Sequence, residues 1–387
     1  MRANPGGTIG ISDIVGRDLL VHGLWEILQG QSLVLTSERR IGKTCVIRKM
    51  KEECADPNVV CVLNDLEALN SPQEFVEALY NDIEFLLPQV DRARLKFQRL
   101  LSKLGRFEVK DIKIPDLTPH WKNLLFALTD DLFENEDRLV VFFWDELPLF
   151  IHKVSKTSGE PAAMEMLDAL RSLRQRHRRL RMVFTGSVGL HLIVKALRQG
   201  SYLNDPTNDM RTVEVCPLDE PDGMSLAAQL LEGEGIELPA SDRLARAVSE
   251  AAGHIPYYIH SLVAQMSGSN LAVTETSVQE YLNLLICNPN DPAHFRYYRE
   301  RLDVYYAPGE KELALAALDA LSRSDRPQLF DELLNLIRHS FPEVTPEPVR
   351  DTLSLLERDH YISRPTGTQG YAFRYPIVRQ WWKFERG

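Results

Sequence analysis

Ser37-Glu38-Arg39-Arg40-Ile41-Gly42-Lys43-Thr44 is the stretch whose reading decides the fold. Before it runs Ser32-Leu33-Val34-Leu35-Thr36, a short apolar segment that reads as a buried strand. After it Cys45-Val46-Ile47 opens a helix. The stretch meets the pattern GxxxxGK[ST] at every fixed position except the first, where Ser37 stands for glycine. In such a loop the backbone N–H groups and the helix N-terminus point at phosphate oxygens. Lys43 then reaches the β and γ phosphates, and the Thr44 hydroxyl ligates Mg²⁺. Glycine at the first position allows a tight turn without a β-carbon, so Ser37 carries an expected cost in strain or affinity.

A second stretch completes the chemistry. Leu139-Val140-Val141-Phe142-Phe143-Trp144 is unbroken apolar sequence closed by Asp145-Glu146. Such runs suit a central parallel strand buried on both faces. Asp145 at its end is expected to hold Mg²⁺, and Glu146 to orient and polarise the attacking water. Together the two stretches predict a protein that binds and hydrolyses a nucleoside triphosphate with Mg²⁺.

The chain has 387 residues, more than one ordinary core, so two or three domains are expected. It is 44% hydrophobic and 26% charged, as a soluble globular protein is. No apolar run reaches the roughly 18 residues of a membrane helix, and the N-terminus lacks an apolar signal core. The expectation is a cytoplasmic protein with no membrane partner. Cys45, Cys54, Cys61, Cys216 and Cys287 stand singly, without the spacing of a zinc site, and read as reduced and packed. A formal net charge of −10 means that any nucleic-acid contact needs a local basic patch.

Strands alternate with helices as far as Pro217. A helix covers the apolar positions Leu19 to Leu28, and further strands are expected at 59–63, 181–185 and 213–215. Residues 71–133 read as mostly helical, interrupted from Gly105 to Pro119 by a hairpin or loop. A helix covers 161–177. This alternation predicts an α/β sheet with right-handed crossovers. Beyond Pro217 the pattern is helical. From about residue 309 three helices and then two short strands around Pro365 to Gly370 outline a winged helix.

With these motifs in order, the chain resembles the archaeal-type ATPases of the STAND/AAA+ branch of P-loop NTPases. Their loop commonly reads G-x-R-R-x-G-K-T, similar to residues 37–44 here. The resemblance implies that the nucleotide is ATP/ADP. It also implies a P-loop core of parallel sheet flanked by helices (12–216), a helical lid (217–290) and a winged-helix domain with a preceding helical linker (291–387). It places Val15-Gly16-Arg17 against the adenine and all of Ser37, Glu38, Arg39, Arg40, Ile41, Gly42, Lys43, Thr44 and Cys45 around the phosphates. Thr185-Gly186-Ser187 is similar to the family's Gly-Ser strand end, which makes Ser187 a sensor of the γ-phosphate or water. Arg211 is similar to the arginine finger of related AAA+ ATPases, acting on a neighbouring subunit. Gly253-His254-Ile255-Pro256-Tyr257-Tyr258 is similar to the lid motif, with Pro256 toward the nucleotide and one residue inserted relative to the commoner Gly-Asn-Pro. Tyr375-Pro376 to Trp382 resembles the family's C-terminal pattern.

Function has three readings at this level. The first is a nucleotide switch that controls oligomerisation or a separate effector protein, as in a defence system. The second is an ATP-dependent DNA-binding protein similar to initiators or transposition regulators. The third is a scaffold that holds nucleotide without turnover. The dense cluster of Arg171, Arg174, Arg176, Arg178, Arg179 and Arg181 suits a solvated helix end, a protein interface or nucleic acid. Residues 309–387 hold eleven Lys/Arg and twelve Asp/Glu, so the winged helix has no net basic field. Arg364 and Arg374 are its best DNA candidates. The stripe Phe295, Tyr297, Tyr298, Tyr305 and Tyr306 reads as packing.

Overall fold

The computed structural model describes residues 1–86, 121–199, 202–237, 242–269 and 272–387. The expected hairpin or loop at 105–119 lies outside them. Contacts divide the chain into two units.

One unit, Val21–Thr36 with Ile47–Val213, carries a five-stranded sheet. Its strands are β1 (Leu33–Thr36), β2 (Val59–Asp65), β3 (Leu139–Asp145), β4 (Leu180–Phe184) and β5 (Arg211–Glu214), in the order β2-β3-β4-β1-β5. β2 with β3, β3 with β4 and β1 with β4 are parallel. The middle of the sheet is dry: Val140 to Trp144 are each at most 1% exposed. Val and Phe fill both faces there, as a strand covered on two sides requires. The edge strand β5 starts two residues earlier than the 213–215 the sequence suggested, so Arg211 is its first residue rather than the residue before it.

Helices α1 (Asp18–Leu28), α2 (Lys43–Glu52), α3 (Pro72–Leu86), α4 (Trp121–Asn135), α5 (Leu147–Thr157), α6 (Glu160–Arg176) and α7 (Leu190–Gln199) connect and cover the strands. The sequence reading did not anticipate α5. It starts directly after Asp145-Glu146, and Pro148 sits in its first turn, where its missing N–H costs nothing.

The other unit, Met1–Leu20 with Ser37–Val46 and Glu214–Gly387, is helical. It holds α8 (Glu220–Gly233), α9 (Arg243–Ala251), α10 (Pro256–Ser267), α11 (Val278–Ile286) and α12 (Arg296–Tyr305). α13 (Pro308–Arg323), α14 (Phe330–Arg338) and α15 (Pro346–Arg358) follow, then β6 (Ile362–Ser363) and β7 (Ala372–Phe373) paired antiparallel. Three helices and a hairpin give the winged-helix arrangement. A final helix, α16 (Pro376–Arg386), buries Trp381 and Trp382, and Trp382 Nε1 donates to Asp319 of α13 at 2.8 Å. Of the aromatic stripe, Phe295, Tyr298 and Tyr306 are buried, while Tyr297 and Tyr305 are half-buried.

Two expectations change. Cys216 and Cys287 are exposed rather than packed, and all five cysteines are free thiols. The arginine cluster is also mostly engaged. Arg174 pairs with Asp209 at 2.8 Å and donates to Pro206 O, Arg176 pairs with Asp130, Arg179 with Asp137, and Arg181 donates to Leu28 O and Gln29 O. No helix among the described residues is long and apolar enough to cross a membrane.

Candidate nucleotide site

The loop 37–42 joins the end of β1 to the N-terminus of α2. Two of its residues lie in the left-handed region, Arg40 at φ 74° and Gly42 at φ 102°. These turn the chain back toward the start of the helix. Ser37 is not among the positive-φ residues, so the backbone there does not demand glycine. The strain expected at Ser37 therefore does not arise from its own backbone.

Lys43 Nζ donates to Ser37 O at 3.0 Å, Ser37 Oγ at 3.1 Å and Glu38 O at 3.0 Å. These neutral oxygens are the kind of partner that phosphate oxygens replace. Thr44 is exposed at the helix start and Cys45 is half-buried behind it. Arg17 is 5% exposed and donates to Ile41 O at 3.0 Å and Cys216 O at 2.9 Å. It thus ties the loop to the segment before α8. Burial lowers its pKa from the ordinary arginine value, with Cys216, Cys45 and Asp222 opposing. Val15 and Gly16 precede it. Gly16 is required twice over: its φ is +68°, and a Cβ there would meet Asp222 Oδ2 at 2.4 Å.

The arginines of the loop lean on aromatic rings. Arg40 lies 3.8 Å over the Tyr257 ring, and Arg39 lies 3.9 Å over Tyr297. Pro256 is the first residue of α10, directly before Tyr257. Two successive residues before it are left-handed, Gly253 at φ 63° and His254 at φ 56°.

Glu38 is fully buried, although sequence placed it only as one member of the phosphate loop. Arg301 of α12 donates to its Oε1 at 2.8 Å, and the Arg39 N–H donates to the same oxygen at 2.7 Å. Arg301 Nη2 lies 3.7 Å from Asp359, whose other oxygen accepts from Tyr306 at 2.6 Å. Burial raises the Glu38 pKa, with Arg301 opposing it. His360 and Arg374 stand close to this group. Arg374 Nη1 lies 3.1 Å from His360 Nδ1, and Arg374 also pairs with Glu214. Sequence reasoning missed Arg301, Asp359 and His360, because no motif or spacing links them to residue 38.

The acidic strand end belongs to the sheet-bearing unit. Asp145 is 6% exposed, and its Oδ1 accepts the Glu146 N–H at 3.1 Å. Glu146 is left-handed, at φ 56°. Its carboxylate accepts the Ser187 N–H at 2.9 Å and the Ser187 hydroxyl at 2.8 Å. Gly186 permits this approach, since a Cβ there would meet Pro148 Cδ at 2.7 Å. Left-handed backbone at a non-glycine residue costs of order 1–3 kcal/mol and is concentrated at functional sites. Asp145, Glu146 and Ser187 are therefore brought together, whereas Arg211 sits apart from them as an exposed residue of the edge strand β5.

No protein-family model matches the chain, and no curated protein does. Solved structures do. A Walker-type ATPase of Pyrococcus abyssi is similar with a TM-score of 0.61 at 16% identity, over 96% of this chain and 97% of that one. The ORC2 protein of Aeropyrum pernix, solved as ADPNP–ADP complexes, is similar with a TM-score of 0.54 at 12% identity, over 96% of each chain. At these identities the likeness is one of fold. The shared fold is a parallel sheet flanked by helices, followed by a helical region and three helices with a hairpin.

Proposed function

We propose that this chain binds ATP and hydrolyses it to ADP and phosphate as a nucleotide-driven switch of the STAND/AAA+ type. The observation that carries the reading is the loop at residues 37–44. It runs from β1 into the N-terminus of α2, and the Lys43 amine is held there against oxygen acceptors. The residues present suit a nucleoside triphosphate with Mg²⁺: backbone N–H groups at a helix start, an adjacent lysine and an exposed threonine. The fold likeness to a Walker-type ATPase and to a protein solved with ADPNP and ADP supports it.

In this reading Lys43 neutralises phosphate charge, and Thr44 and Asp145 hold the metal ion. Held by these two residues, the ion would supply positive charge against the charge that develops on the phosphate oxygens. Glu146 orients the attacking water and polarises it by accepting a hydrogen bond from it. Ser187 holds the Glu146 carboxylate and so sets its direction. Val15, Gly16 and Arg17 form the base side of the site, Pro256 the lid side, and Ser37 to Cys45 the phosphate cradle. Arg211, exposed on an edge strand, is suited to serve the site of a second copy. In the same reading the domains are core 12–216, lid 217–290 and winged helix with its preceding helical linker 291–387. Control of a homo-oligomer or a separate effector protein is the output we assign to the switch.

The test is ATP turnover by wild type and Glu146→Gln at several protein concentrations, with bound nucleotide and mass read by native mass spectrometry. Turnover that vanishes in the variant and rises with concentration supports the switch. A protein that retains ADP without releasing phosphate at any concentration points to a nucleotide-bound scaffold instead.

A further inference from the structure

Glu38 occupies a variable position of the phosphate loop, and its carboxylate faces away from the helix start into a buried polar cluster. Three observations define that cluster. Arg301 reaches it from α12 and is itself only 3% exposed. Arg301 also faces Asp359, at the end of α15, and lies 5.4 Å over the Tyr361 ring. Tyr361 in turn donates to Tyr298 O at 2.7 Å. A continuous buried chain of groups thus runs from residue 38 to the winged helix. Breaking such a pair from one side leaves an uncompensated charge in the interior, so the contact has two distinct states rather than a continuum.

The same loop residues hold Lys43. Its amine donates to the carbonyls of Ser37 and Glu38 and to the Ser37 hydroxyl. A lysine has three N–H donors, so phosphate oxygens can recruit it only by displacing some of these acceptors. Displacement frees the peptide units at 37 and 38, and the Glu38 side chain hangs from the second of them.

We propose that Arg301 is a positioning residue for the phosphate loop, acting through Glu38, and that ATP binding at Lys43 loosens this buried ion pair and thereby the grip of the loop on α12 and the winged helix. The proposal rests on the nucleotide reading above and names its regulation. Linkage makes the coupling reciprocal: if ATP weakens the pair, removing the pair strengthens ATP binding. ADP, with no γ-phosphate for Lys43, draws less on the loop.

The experiment uses the full chain as wild type, Arg301→Gln, Glu38→Gln and the double variant. ATP and ADP affinities are titrated, melting is recorded, and hydrogen exchange is followed over residues 296–306 with and without ATP. Wild type is expected to exchange at least ~threefold faster in this segment when ATP is bound. Arg301→Gln is expected to bind ATP about fivefold tighter, with a smaller change for ADP, and to lose the ATP response of the segment. The double variant removes the pair but leaves Asp359 without its cation, so it is expected to melt below wild type and above Arg301→Gln. It is expected to remain unresponsive to ATP, which a merely structural role would not produce. ATP binding with no change in exchange, or a double variant that keeps the response, overturns the coupling and leaves the nucleotide reading standing. Absence of ATP binding by wild type overturns both, and the titration separates that case.

Discussion

The hydroxyl of Ser187 donates to the carboxylate of Glu146 over 2.8 Å, and the backbone N–H of Ser187 donates to the same group. Two donors from one residue fix the direction of a carboxylate whose own backbone is left-handed. A glutamate placed in this way is held ready for a water molecule but must share its oxygens with Ser187. Ser187→Ala keeps the N–H and removes the hydroxyl. Turnover is expected to fall ~10-fold with nucleotide affinity nearly unchanged, read by phosphate release beside a binding titration. A variant with wild-type turnover shows that the hydroxyl contributes nothing.

Gly186 makes that contact sterically possible. Gly186→Ala puts a Cβ within 2.7 Å of Pro148 Cδ, at the first turn of α5. The expected result is a loss of about 1–3 kcal/mol in stability and a deeper drop in turnover than Ser187→Ala, because the loop must back away from Glu146. Calorimetric melting and single-turnover assays check both parts.

Gly16 tests the base side of the site. Gly16→Ala meets an unfavourable φ of +68° and a clash with Asp222. ATP affinity is expected to fall ~10-fold as Arg17 is pulled from Ile41 O. Adding Asp222→Gly removes the whole side chain, whose own Cβ would lie only 2.6 Å away, but not the backbone strain at residue 16, so only part of the loss should return. Full recovery in the double variant would assign the effect to the clash alone.

Arg174 and Arg178 are neighbours in sequence with opposite expected outcomes. Arg174 has 3% side-chain exposure and pairs with Asp209, so Arg174→Glu should cost about 3 kcal/mol of stability. Arg178 is exposed, and its reversal should stay within about 0.5 kcal/mol. Thermal melting separates them. Any salt-sensitive DNA binding is best tested at Arg178, since the loss of Arg174 would report on folding.

Acid should destabilise the fold through two buried histidines. His260 accepts the Asn4 N–H at 3.1 Å through Nδ1, so its ring is neutral, and burial pulls its pKa down to about 4 against the opposing Asp13. His360 is pulled to about 3, first by burial and then by Arg374 and Lys43, with Asp359 opposing and Arg301 adding to the fall. Both lie below the ordinary value of 6.5. As pH falls through 6.5 the unfolded chain therefore takes up protons that the folded chain refuses. The stability due to neutral rings is complete above 6.5 and is lost toward pH 4 for His260 and toward pH 3 for His360, at up to ~1.4 kcal/mol per pH unit for each ring. His260→Gln should flatten the fall of melting temperature between pH 6.5 and 5. Curves parallel to wild type would rule out this assignment.

Much of the architecture was legible from local pattern. The unbroken run at 139–144 foretold a strand buried on both faces, because only such a strand tolerates apolar residues at every position. The loop at 37–44 and the pair Asp145-Glu146 were visible because their chemistry resides in adjacent residues at set spacing. The helix starting at Leu147 escaped notice because strand, acidic pair and helix follow one another without a linker.

What only the tertiary structure decided concerns charge. Arg301 and Glu38 are 263 residues apart; Glu38 reads in the sequence as one more residue of the phosphate loop, and no local pattern marks Arg301. Arg174 likewise reads as one member of a basic cluster until Asp209 folds against it. Ser37 looked strained from its position in a motif, yet its backbone does not take the conformation that calls for glycine. Periodicity along the chain reports which face of an element is apolar. It carries no record of which distant ion will be buried beside which, because that depends on the folding of segments whose separation leaves no local trace.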